Sequence, residues 1–493
     1  MSEGLFLPFH EAFHETASDL PQYLRLFRAF QQSILNGELA PGAKLPASRP
    51  LCDQLNISRN TVKTAYEMLI AEGYAESRHG AGTFVAVRLP KGLSDAAQKD
   101  ANEPNVAPKL SQLARTLTQV RKPNRWEPGA LLLPAQPCLA SFPWNHWQRA
   151  ISVAGRQMKF EANAVLGNLR LRQEIAKYLG ATRGVKCSAE QVMICSGSQQ
   201  AMFIALRLLV DDGEPVFAEE PCYQGIDGAI AAACGEKVPV PVDEQGIPLD
   251  LALERAANAR VAMVTPSRNH PLGYTLSLER RLAWLQWAKS TGSWLIEDDY
   301  DSEFRFEHAP LTSLQGLGGE DVVIYTGTFS RILHPSIRLG YMVVPEMLVE
   351  AAGRAKTYME GGNSVLPQLA LAEFMENGQF ASHVRRMRKL YQQRRDLLHG
   401  LIEREIGEQV TLVPSDGGMH STYLLPDGWK DYEVRALCEA KGLGIRDLSR
   451  YFATSKPMHG IVAGFAGYDD RQITEGVQRL AKVIRGYAVV GWS

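Results

Sequence analysis

The alternation of apolar and polar positions divides the chain into a short helical part, a polar middle and a long regular part. The apolar side chains of Val62, Ala65, Tyr66, Leu69 and Ile70 recur at helical spacing, which predicts a helix with one buried face. From residue 88 to about residue 127 apolar side chains are scarce, as in a flexible connection. Beyond that point apolar runs alternate with amphipathic segments, which predicts an α/β domain with a mainly parallel sheet.

The first part carries the signals of a winged helix-turn-helix. Ser58 stands where a serine caps the N-terminus of a helix, and Gly73 stands where that helix should end. Ser48 is predicted to begin a preceding helix in the same way. After Gly73, residues 74–87 alternate like two short strands around the glycine-rich turn at 79–82. Two crossed helices followed by such a hairpin are typical of DNA-reading domains.

The polar face of this part is predicted to contact DNA, because the first turn of a recognition helix and the tip of a wing reach bases and phosphates. The candidate DNA-binding residues are Lys44, Ser48, Arg49, Ser58, Arg59, Asn60, Thr61, Lys63, Arg78, His79 and Gly80. The alternative is a small helical cap with a hairpin, whose arginines are only solvated. We favour DNA binding, since the cap, the stop, the wing glycines and the basic first turn agree at fixed offsets.

Composition limits the remaining possibilities. At 493 residues, with 45% hydrophobic and 22% charged, the chain can form a large core and at least one further small domain. The formal net charge is -1, so binding to DNA must depend on local positive charge. No stretch approaches the roughly 18 apolar residues of a membrane span, and the start resembles no signal peptide. We expect a cytoplasmic protein with no membrane partner, no disulfide framework among its 7 cysteines and no metal site.

The long part has apolar runs that each end at a polar cluster. The candidate strands cover residues 192–195, 214–218, 261–265, 294–297 and 322–326. Ligand sites of open α/β sheets lie at the carboxyl ends of the strands, so we expect these polar clusters to converge in space.

Two sets of motifs resemble known families. LPASR at 45–49, the segment 57–69, EGY at 72–74 and HGAGTFV at 79–85 resemble the GntR family of bacterial transcription regulators. The polar clusters resemble fold-type I aminotransferases that use pyridoxal phosphate, through SGSQQ at 196–200, EEPCY at 219–223, TPSRNHPLG at 265–273, EDDYDSEF at 297–304, TGTFSR at 326–331, RLGY at 338–341 and GFAGYDD at 464–470. Their combination narrows the resemblance to the MocR branch of the GntR family.

This resemblance implies a fold and a set of cofactor residues. The fold class is α/β, with a small N-terminal winged helix-turn-helix domain and a large domain like the fold-type I pyridoxal phosphate transferases. Ser198 and Gln199 begin a helix that can hold a phosphate, Tyr223 would stack on the cofactor ring, and Asp298 would pair with its pyridine nitrogen. The candidate cofactor-binding residues are Ser198, Gln199, Tyr223, His270, Asp298, Tyr300, Ser330, Arg331 and Arg338.

The sequence departs from the family pattern at the position of the cofactor lysine, where it has Arg331. A Schiff base needs an amine with an available lone pair, whereas a guanidinium stays protonated and delocalised. No other lysine lies between Lys289 and Lys356, so the same loop offers no substitute. We expect a catalytically inactive aminotransferase-like domain, in which pyridoxal phosphate is bound noncovalently, is absent or is replaced by another ligand.

Three alternatives for the large domain stay open. It binds pyridoxal phosphate or a cofactor–amine adduct without a covalent bond, or Arg331 holds a different anionic ligand, or the domain is a cofactor-free scaffold for dimerisation. A further alternative is that Arg331 forms an ion pair with Asp298 and so fills an empty site. We favour noncovalent binding of a phosphorylated pyridine or a related ligand.

We predict three regions: a winged helix-turn-helix at 18–88, a flexible linker at 89–127 and an aminotransferase-like effector-sensing and dimerisation domain at 128–493. The function expected is regulation of transcription by a small molecule, which is an amine, an amino acid or a phosphorylated pyridine. The partners expected are an operator in double-stranded DNA and a second copy of the chain in a head-to-tail dimer. The alternative is an active aminotransferase with an accessory DNA-binding domain.

Overall fold

The computed structural model describes residues 13, 20–88, 108–121, 129–160, 164–453 and 456–490. The chain divides into two compact units, residues 1–109 and residues 110–493. We call the first unit the head and the second unit the body. Most of the predicted linker at 89–127 lies outside the described residues, and the predicted region boundaries stay a prediction.

The head consists of helices that pack on one another and a two-stranded antiparallel hairpin. Its elements are α1 (Gln22–Leu35), α2 (Ser48–Leu55), α3 (Arg59–Ala71), β1 (Ala75–Arg78) and β2 (Gly82–Val85). The helical periodicity of α3 buries Val62, Tyr66 and Leu69 against α1 and α2. This burial, with that of Ala65, confirms the predicted inner face of the helix except at Ile70, which is 37% exposed because it lies in the last turn of α3, off the buried stripe.

The ends of the head helices follow from their capping residues. The Ser58 hydroxyl accepts a hydrogen bond from the Thr61 amide at 3.1 Å, so the predicted cap of α3 is confirmed. Gly73 follows the helix with a φ of 80°, a left-handed conformation that favours glycine. The prediction for Ser48 was wrong in detail, because Ser48 is the first helical residue of α2 and Ala47 is the N-cap without a side-chain hydrogen bond.

The predicted linker contains a helix, α4 (Gln112–Gln119), that belongs to the body. The Ser111 hydroxyl accepts a hydrogen bond from the Ala114 amide at 3.1 Å and caps this helix. The segment is polar, which had favoured a flexible connection. The physical reason for the difference is that a short capped helix needs few apolar residues when it lies on the surface of a larger domain.

The body is built on a sheet of seven strands in the order β3-β9-β8-β7-β6-β4-β5. The strands are β3 (Val192–Cys195), β4 (Pro215–Glu220), β5 (Glu236–Pro241), β6 (Val261–Val264), β7 (Trp294–Asp299), β8 (Val323–Thr328) and β9 (Gly340–Val343). β9 is antiparallel to both of its neighbours and the other pairs are parallel. The predicted α/β class with a mainly parallel sheet is confirmed.

Helices and a second, smaller sheet complete the body. The further helices are α5 (Trp144–Gln157), α6 (Leu169–Arg183), α7 (Ser198–Leu209), α8 (Gln224–Ala232), α9 (Leu249–Arg255), α10 (Leu278–Thr291), α11 (Val349–Met359), α12 (Val365–Glu376), α13 (Gln379–Glu405), α14 (Asp431–Glu439) and α15 (Asp470–Val490). The smaller antiparallel sheet has the order β10-β11-β13-β12, with β10 (Thr411–Leu412), β11 (His420–Leu424), β12 (Arg446–Asp447) and β13 (Gly460–Gly464).

Most strands of the large sheet are buried without alternation because helices cover both faces. Every residue of β3, β6, β8 and β9 is buried. The polar residues therefore begin where the strands end, and they gather at one edge of the sheet. That edge holds the candidate site of the body.

The described residues contain no helix that is long and apolar enough to cross a membrane. All seven cysteines are free thiols. Four of them are buried and three are half-buried, in line with the expectation that they do not form a disulfide framework.

Candidate functional site

The head presents a polar face at the start of α3. Arg59 and Asn60 are exposed in its first turn, next to the Ser58 cap. Lys63, one turn further on, lies 3.6 Å from the Glu67 carboxylate, and both side chains are more than half exposed. An exposed ion pair of this kind is weak, so the Lys63 ammonium can exchange Glu67 for a phosphate.

The hairpin adds basic side chains around one aromatic ring. The Arg78 guanidinium lies 4.6 Å from the centre of the Phe84 ring, and the Lys44 ammonium lies 5.8 Å from it. Arg78 also donates a hydrogen bond to Glu76 at 2.6 Å. Lys44 precedes α2 in the chain, yet the fold places it beside the wing. The Phe84 ring contacts both the Lys44 and the Arg78 cations.

The other candidates of the head differ in exposure. Arg49, His79 and Gly80 are exposed, while Ser48 and Thr61 are half-buried. The Ser58 hydroxyl is already engaged with both the amide and the hydroxyl of Thr61. Ser58 therefore acts first as a structural cap, and its predicted contact with DNA stays a prediction.

The body contains a cavity of about 120 Å³ at the carboxyl edge of the large sheet. Six of the nine candidate cofactor residues line it, namely Ser198, Tyr223, His270, Asp298, Tyr300 and Arg331. The remaining lining residues are Leu133, Pro134, Ala135, Gln136, Gln224, Thr328 and Tyr451. The polar clusters that follow β3, β4, β6, β7 and β8 therefore converge, as the strand topology predicts.

Asp298 supplies a buried carboxyl group to this cavity. Its side chain accepts a hydrogen bond from the Thr326 hydroxyl at 3.3 Å. Burial, together with the neighbouring Asp299 carboxylate, raises the pKa of Asp298 to about 7. The group is poised to share a proton with a basic ring atom of a ligand.

His270 stands at the centre of an aromatic wall. Its ring meets the rings of Tyr223, Tyr300, His420 and Tyr451 edge to face, at centroid distances of 6.1, 5.9, 5.0 and 5.1 Å. Burial lowers the pKa of His270 to about 3, and nearby arginines add to this effect. His270 is therefore a neutral wall residue near pH 7 and cannot serve as a proton donor in its charged form.

The neighbouring Arg268 is a structural residue and not part of the cavity lining. It is 5% exposed and forms an ion pair with Asp301, with an N···O distance of 3.3 Å. It donates hydrogen bonds to the Tyr300 hydroxyl at 3.1 Å and to the His420 carbonyl oxygen at 3.0 Å. Arg268 thus fixes the Tyr300 side chain that faces the cavity.

Arg331 reaches the cavity from the loop after β8. Its guanidinium donates a hydrogen bond to the carbonyl oxygen of Ala135, in another lining segment. Among the described residues no ion pair joins Arg331 to Asp298, so that alternative for Arg331 was wrong. The Arg331 guanidinium is instead held at the segment 133–136 by its hydrogen bond to the Ala135 carbonyl oxygen.

Three candidates, Ser330, Arg338 and Gln199, lie outside the cavity lining. Ser330 has a buried hydroxyl oxygen without a hydrogen-bond partner in the structure. Arg338 is exposed and takes a left-handed φ of 54°. A Cβ atom at Gly197 would lie 4.0 Å from the Arg338 guanidinium. The Gln199 side chain turns away and donates to the Gly225 carbonyl oxygen at 2.8 Å.

These groups fit a phosphorylated pyridine. The unpartnered Ser330 hydroxyl, the amino end of α7 at Ser198 and the Arg338 cation can serve a phosphate. Asp298 can serve a ring nitrogen. What the described cavity lining lacks is a lysine.

Lys356 does not fill this gap. It is fully buried on α11, and its ammonium donates hydrogen bonds to the Ile194 carbonyl oxygen and to Asn363. Both acceptors lie outside the cavity lining. Lys356, the first lysine after Arg331, therefore stabilises the packing against β3 and does not reach the cavity.

Sequence reasoning missed seven lining residues. Those at 133–136 lie between α4 and α5, and Tyr451 lies between the motifs at 338–341 and 464–470, outside both. Gln224 and Thr328 stand inside quoted or adjacent motifs but carry no charge that draws attention. No local signal marks these positions, because only the packed fold brings them to the cavity.

A winged helix-turn-helix head and an aminotransferase-fold body define a class of transcription regulator. The family model of the bacterial regulatory proteins of the gntR family matches residues 22–85, and the model of aminotransferase class I and II matches residues 146–480. The chain belongs to the MocR-type branch of the GntR family. The predicted family is thereby confirmed.

Curated relatives resemble the chain over nearly its whole length. It is 36% identical to the probable rhizopine catabolism regulatory protein MocR of Rhizobium meliloti, over 94% of each chain. It is 31% identical to the pyridoxine biosynthesis transcriptional regulator PdxR of Corynebacterium glutamicum, over 90% of this chain and 92% of the relative. Both relatives are named as regulators and not as enzymes.

Solved structures resemble the body. The α-aminoadipate aminotransferase LysN of Thermus thermophilus, crystallised with N-(5'-phosphopyridoxyl)-L-leucine, has a TM-score of 0.67 and 26% identity, and the match covers 77% of this chain and 96% of LysN. The kynurenine aminotransferase of Pyrococcus horikoshii has a TM-score of 0.68 and 25% identity, over 80% of this chain and 98% of the enzyme. The body therefore has an aminotransferase fold.

Proposed function

We propose that the protein is a transcription regulator whose body binds a small molecule in the described cavity and does not transaminate it. The observation that carries the proposal is Arg331 at the cavity, together with a described lining that contains no lysine. The head supplies the DNA contact through the basic first turn of α3 and the wing. The candidate effectors are amines, amino acids and phosphorylated pyridines.

Arg331 excludes the covalent step on chemical grounds. A guanidinium keeps its proton and spreads its lone pair over three nitrogens, so it neither attacks an aldehyde nor moves a proton near neutral pH. An aminotransferase needs one amine for both tasks. The body therefore has residues that can bind the cofactor, but it lacks the lysine amine that an aminotransferase needs to form a Schiff base with it.

The remaining residues support noncovalent binding of pyridoxal phosphate. Ser330, Arg338 and the amino end of α7 at Ser198 would hold the phosphate, Asp298 would hold the ring nitrogen, and Tyr223 would lie against the ring. When bound, this cofactor supplies an electron sink for amine chemistry. The Arg331 guanidinium uses one donor on Ala135, and its other N–H groups are suited to an anionic part of the ligand.

We infer that the ligand acts by shifting an equilibrium of the whole protein. A cytoplasmic head-to-tail homodimer would place two heads on two half-sites of an operator. A ligand that binds one arrangement of the body better than another changes the affinity of the heads for DNA by its differential affinity alone. The names of the relatives, regulators of rhizopine catabolism and of pyridoxine biosynthesis, support control by a small metabolite.

The test compares the wild type with Arg331→Lys after incubation with pyridoxal 5′-phosphate, borohydride reduction and gel filtration. We expect no pyridoxyl adduct by mass spectrometry on a cavity side chain of the wild type. Arg331→Lys should gain an absorption band that survives gel filtration, and an adduct at residue 331. Arg354→Lys, on the exposed face of α11, is the matched control and should behave like the wild type.

Two results would contradict the proposal. One is a reducible adduct on any cavity residue of the wild type. The other is turnover by the wild type with a panel of amino donors, which would favour an aminotransferase with an accessory DNA-binding domain.

A further inference from the structure

Residues 111–121, which we call the connecting segment, contain α4 and lie against the wall of the cavity. α4 packs on α8, and α8 begins at Gln224, a buried residue of the cavity lining. No residue of α4 is buried, and its Leu113 and Leu117 stay 36% and 41% exposed. The helix is therefore docked on the body and not part of its core.

One backbone carbonyl joins the connecting segment to the cavity wall. The Arg121 guanidinium, just beyond α4, donates a hydrogen bond to the carbonyl oxygen of Arg450 at 2.8 Å. The amide group of the Gln224 side chain lies 3.3 Å from the same oxygen and donates to it as well. A cavity residue and a residue of the connecting segment thus share one acceptor.

The Arg450 carbonyl belongs to a hydrogen-bonded turn that carries a cavity residue. The turn Leu448–Tyr451 places the Tyr451 ring in the cavity, 5.1 Å from the ring of His270. Its outer side is held by Asp431, which accepts two hydrogen bonds from Ser449, each of 2.7 Å. Since the turn is held on both sides, a ligand that displaces Tyr451 also displaces the acceptor of Arg121.

We propose that Arg121 is a positioning residue that couples the ligand cavity to the connecting segment. It anchors α4 to the rim of the cavity, and it supports the turn that holds Tyr451 in the wall. The coupling is reciprocal, since any ligand whose binding moves this turn changes the docking of the segment by the same factor. This proposal rests on the proposed function in one respect, namely that the cavity is the ligand-binding site.

The test measures two quantities on the full chain, the hydrogen exchange of residues 111–121 and the dissociation constant for pyridoxal 5′-phosphate. Arg121→Ala should speed exchange in this segment and raise the dissociation constant by about five-fold, the low end of measured couplings. Arg115→Ala removes the same charge from the exposed face of α4 and should leave both quantities at the wild-type value. Exchange in α10 reports whether the body stays folded.

A second variant tests the coupling from the side of the cavity. Tyr451→Ala should speed exchange in residues 111–121 without any ligand present, whereas Tyr432→Ala, an exposed tyrosine of α14, should not. This arm separates the two proposals. A wild type that binds no pyridoxal 5′-phosphate would overturn the proposed cofactor, and the Tyr451 arm would still decide the coupling.

Equal exchange in Arg121→Ala and Arg115→Ala would overturn the anchor. Faster exchange in Arg121→Ala with an unchanged dissociation constant would overturn the coupling to the cavity. Unchanged exchange of residues 111–121 in Tyr451→Ala would overturn it independently.

Discussion

At the scale of single residues, the body depends on acidic side chains that have been taken out of water. Asp298 and Glu297 are buried side by side at the end of β7, and burial raises the pKa of each to about 7. Glu297 accepts hydrogen bonds from the backbone amides of Leu314 and Gln315, and Asp298 faces the cavity. A buried carboxyl with a raised pKa that lines a cavity is a candidate ligand-binding group.

The raised pKa of Asp298 predicts how stability changes with pH. Well below pH 4 the carboxyl is protonated in both the folded and the unfolded state, so it does not change the free energy of unfolding. Between pH 4 and 7 the unfolded chain releases the proton first, because its carboxyl keeps the ordinary pKa of about 3.9, and the folded state is progressively penalised. Asp298→Asn should therefore be more stable than the wild type at pH 8 and lose this advantage toward pH 4.

Thermal unfolding between pH 4 and pH 8 checks this prediction. The advantage of Asp298→Asn at pH 8 should be about 2 °C or more in melting temperature. Glu279→Gln, an exposed carboxyl of α10, is the control and should follow the wild-type curve. A constant difference between Asp298→Asn and the wild type over this range would show that the carboxyl has no raised pKa.

At the scale of elements, α8 is a helix whose two nearby glycines have opposite roles. A Cβ atom at Gly225 would lie 2.1 Å from the Tyr223 ring and 2.4 Å from the Gln199 amide oxygen. A Cβ atom at Gly228 would meet nothing within 4 Å. Gly225 therefore leaves space for the Tyr223 ring in the cavity wall, whereas Gly228 only lowers the stability of the helix.

These glycines make a matched pair of variants. Gly225→Ala should push the Tyr223 ring from its place and lower the affinity for pyridoxal 5′-phosphate. Gly228→Ala should leave that affinity unchanged and stabilise the body by about 0.5–1 kcal/mol, since alanine is the better helix residue. Fluorescence titration and denaturant unfolding measure the two effects, and an equal response of both variants would contradict this account.

At the scale of the whole molecule, DNA binding must come from a small basic face on a chain of net charge -1. The exposed basic residues available for it are Arg59 and Lys63 on α3 and Lys44 and Arg78 around Phe84. Since such local charge acts through the displacement of counterions, binding should weaken steeply as salt rises.

Arg59→Ala should weaken binding to a DNA fragment selected by the protein from a random pool by about 1–3 kcal/mol, as expected for a base contact. Gel-shift titration at fixed salt measures the change. Arg28→Ala removes the same charge from the exposed face of α1 and should have a much smaller effect. Equal losses for the two variants would place Arg59 outside the DNA interface.

The extent of what was predictable follows from the range of the interactions. The strands with continuous apolar runs were found from the sequence, whereas β5 was missed because prolines at 239 and 241 interrupt its pattern. The sequence does not predict β9, because its first residues overlap the RLGY motif at 338–341, which resembles a phosphate-binding segment and not a strand. α4 was missed because its polar sequence is helical through its Ser111 cap and its contact with α8.

The sequence by itself determined the chemistry that each side chain can perform: a guanidinium at 331, a capped basic helix at 59–71 and a carboxyl at 298. These properties are covalent or local, so they do not depend on the fold. Only the tertiary structure decided that Arg331 meets Ala135 and not Asp298, and that Arg121 and Gln224 share the carbonyl of Arg450. Those contacts join residues hundreds of positions apart, and such pairs are selected by packing of the whole core and not by any local pattern.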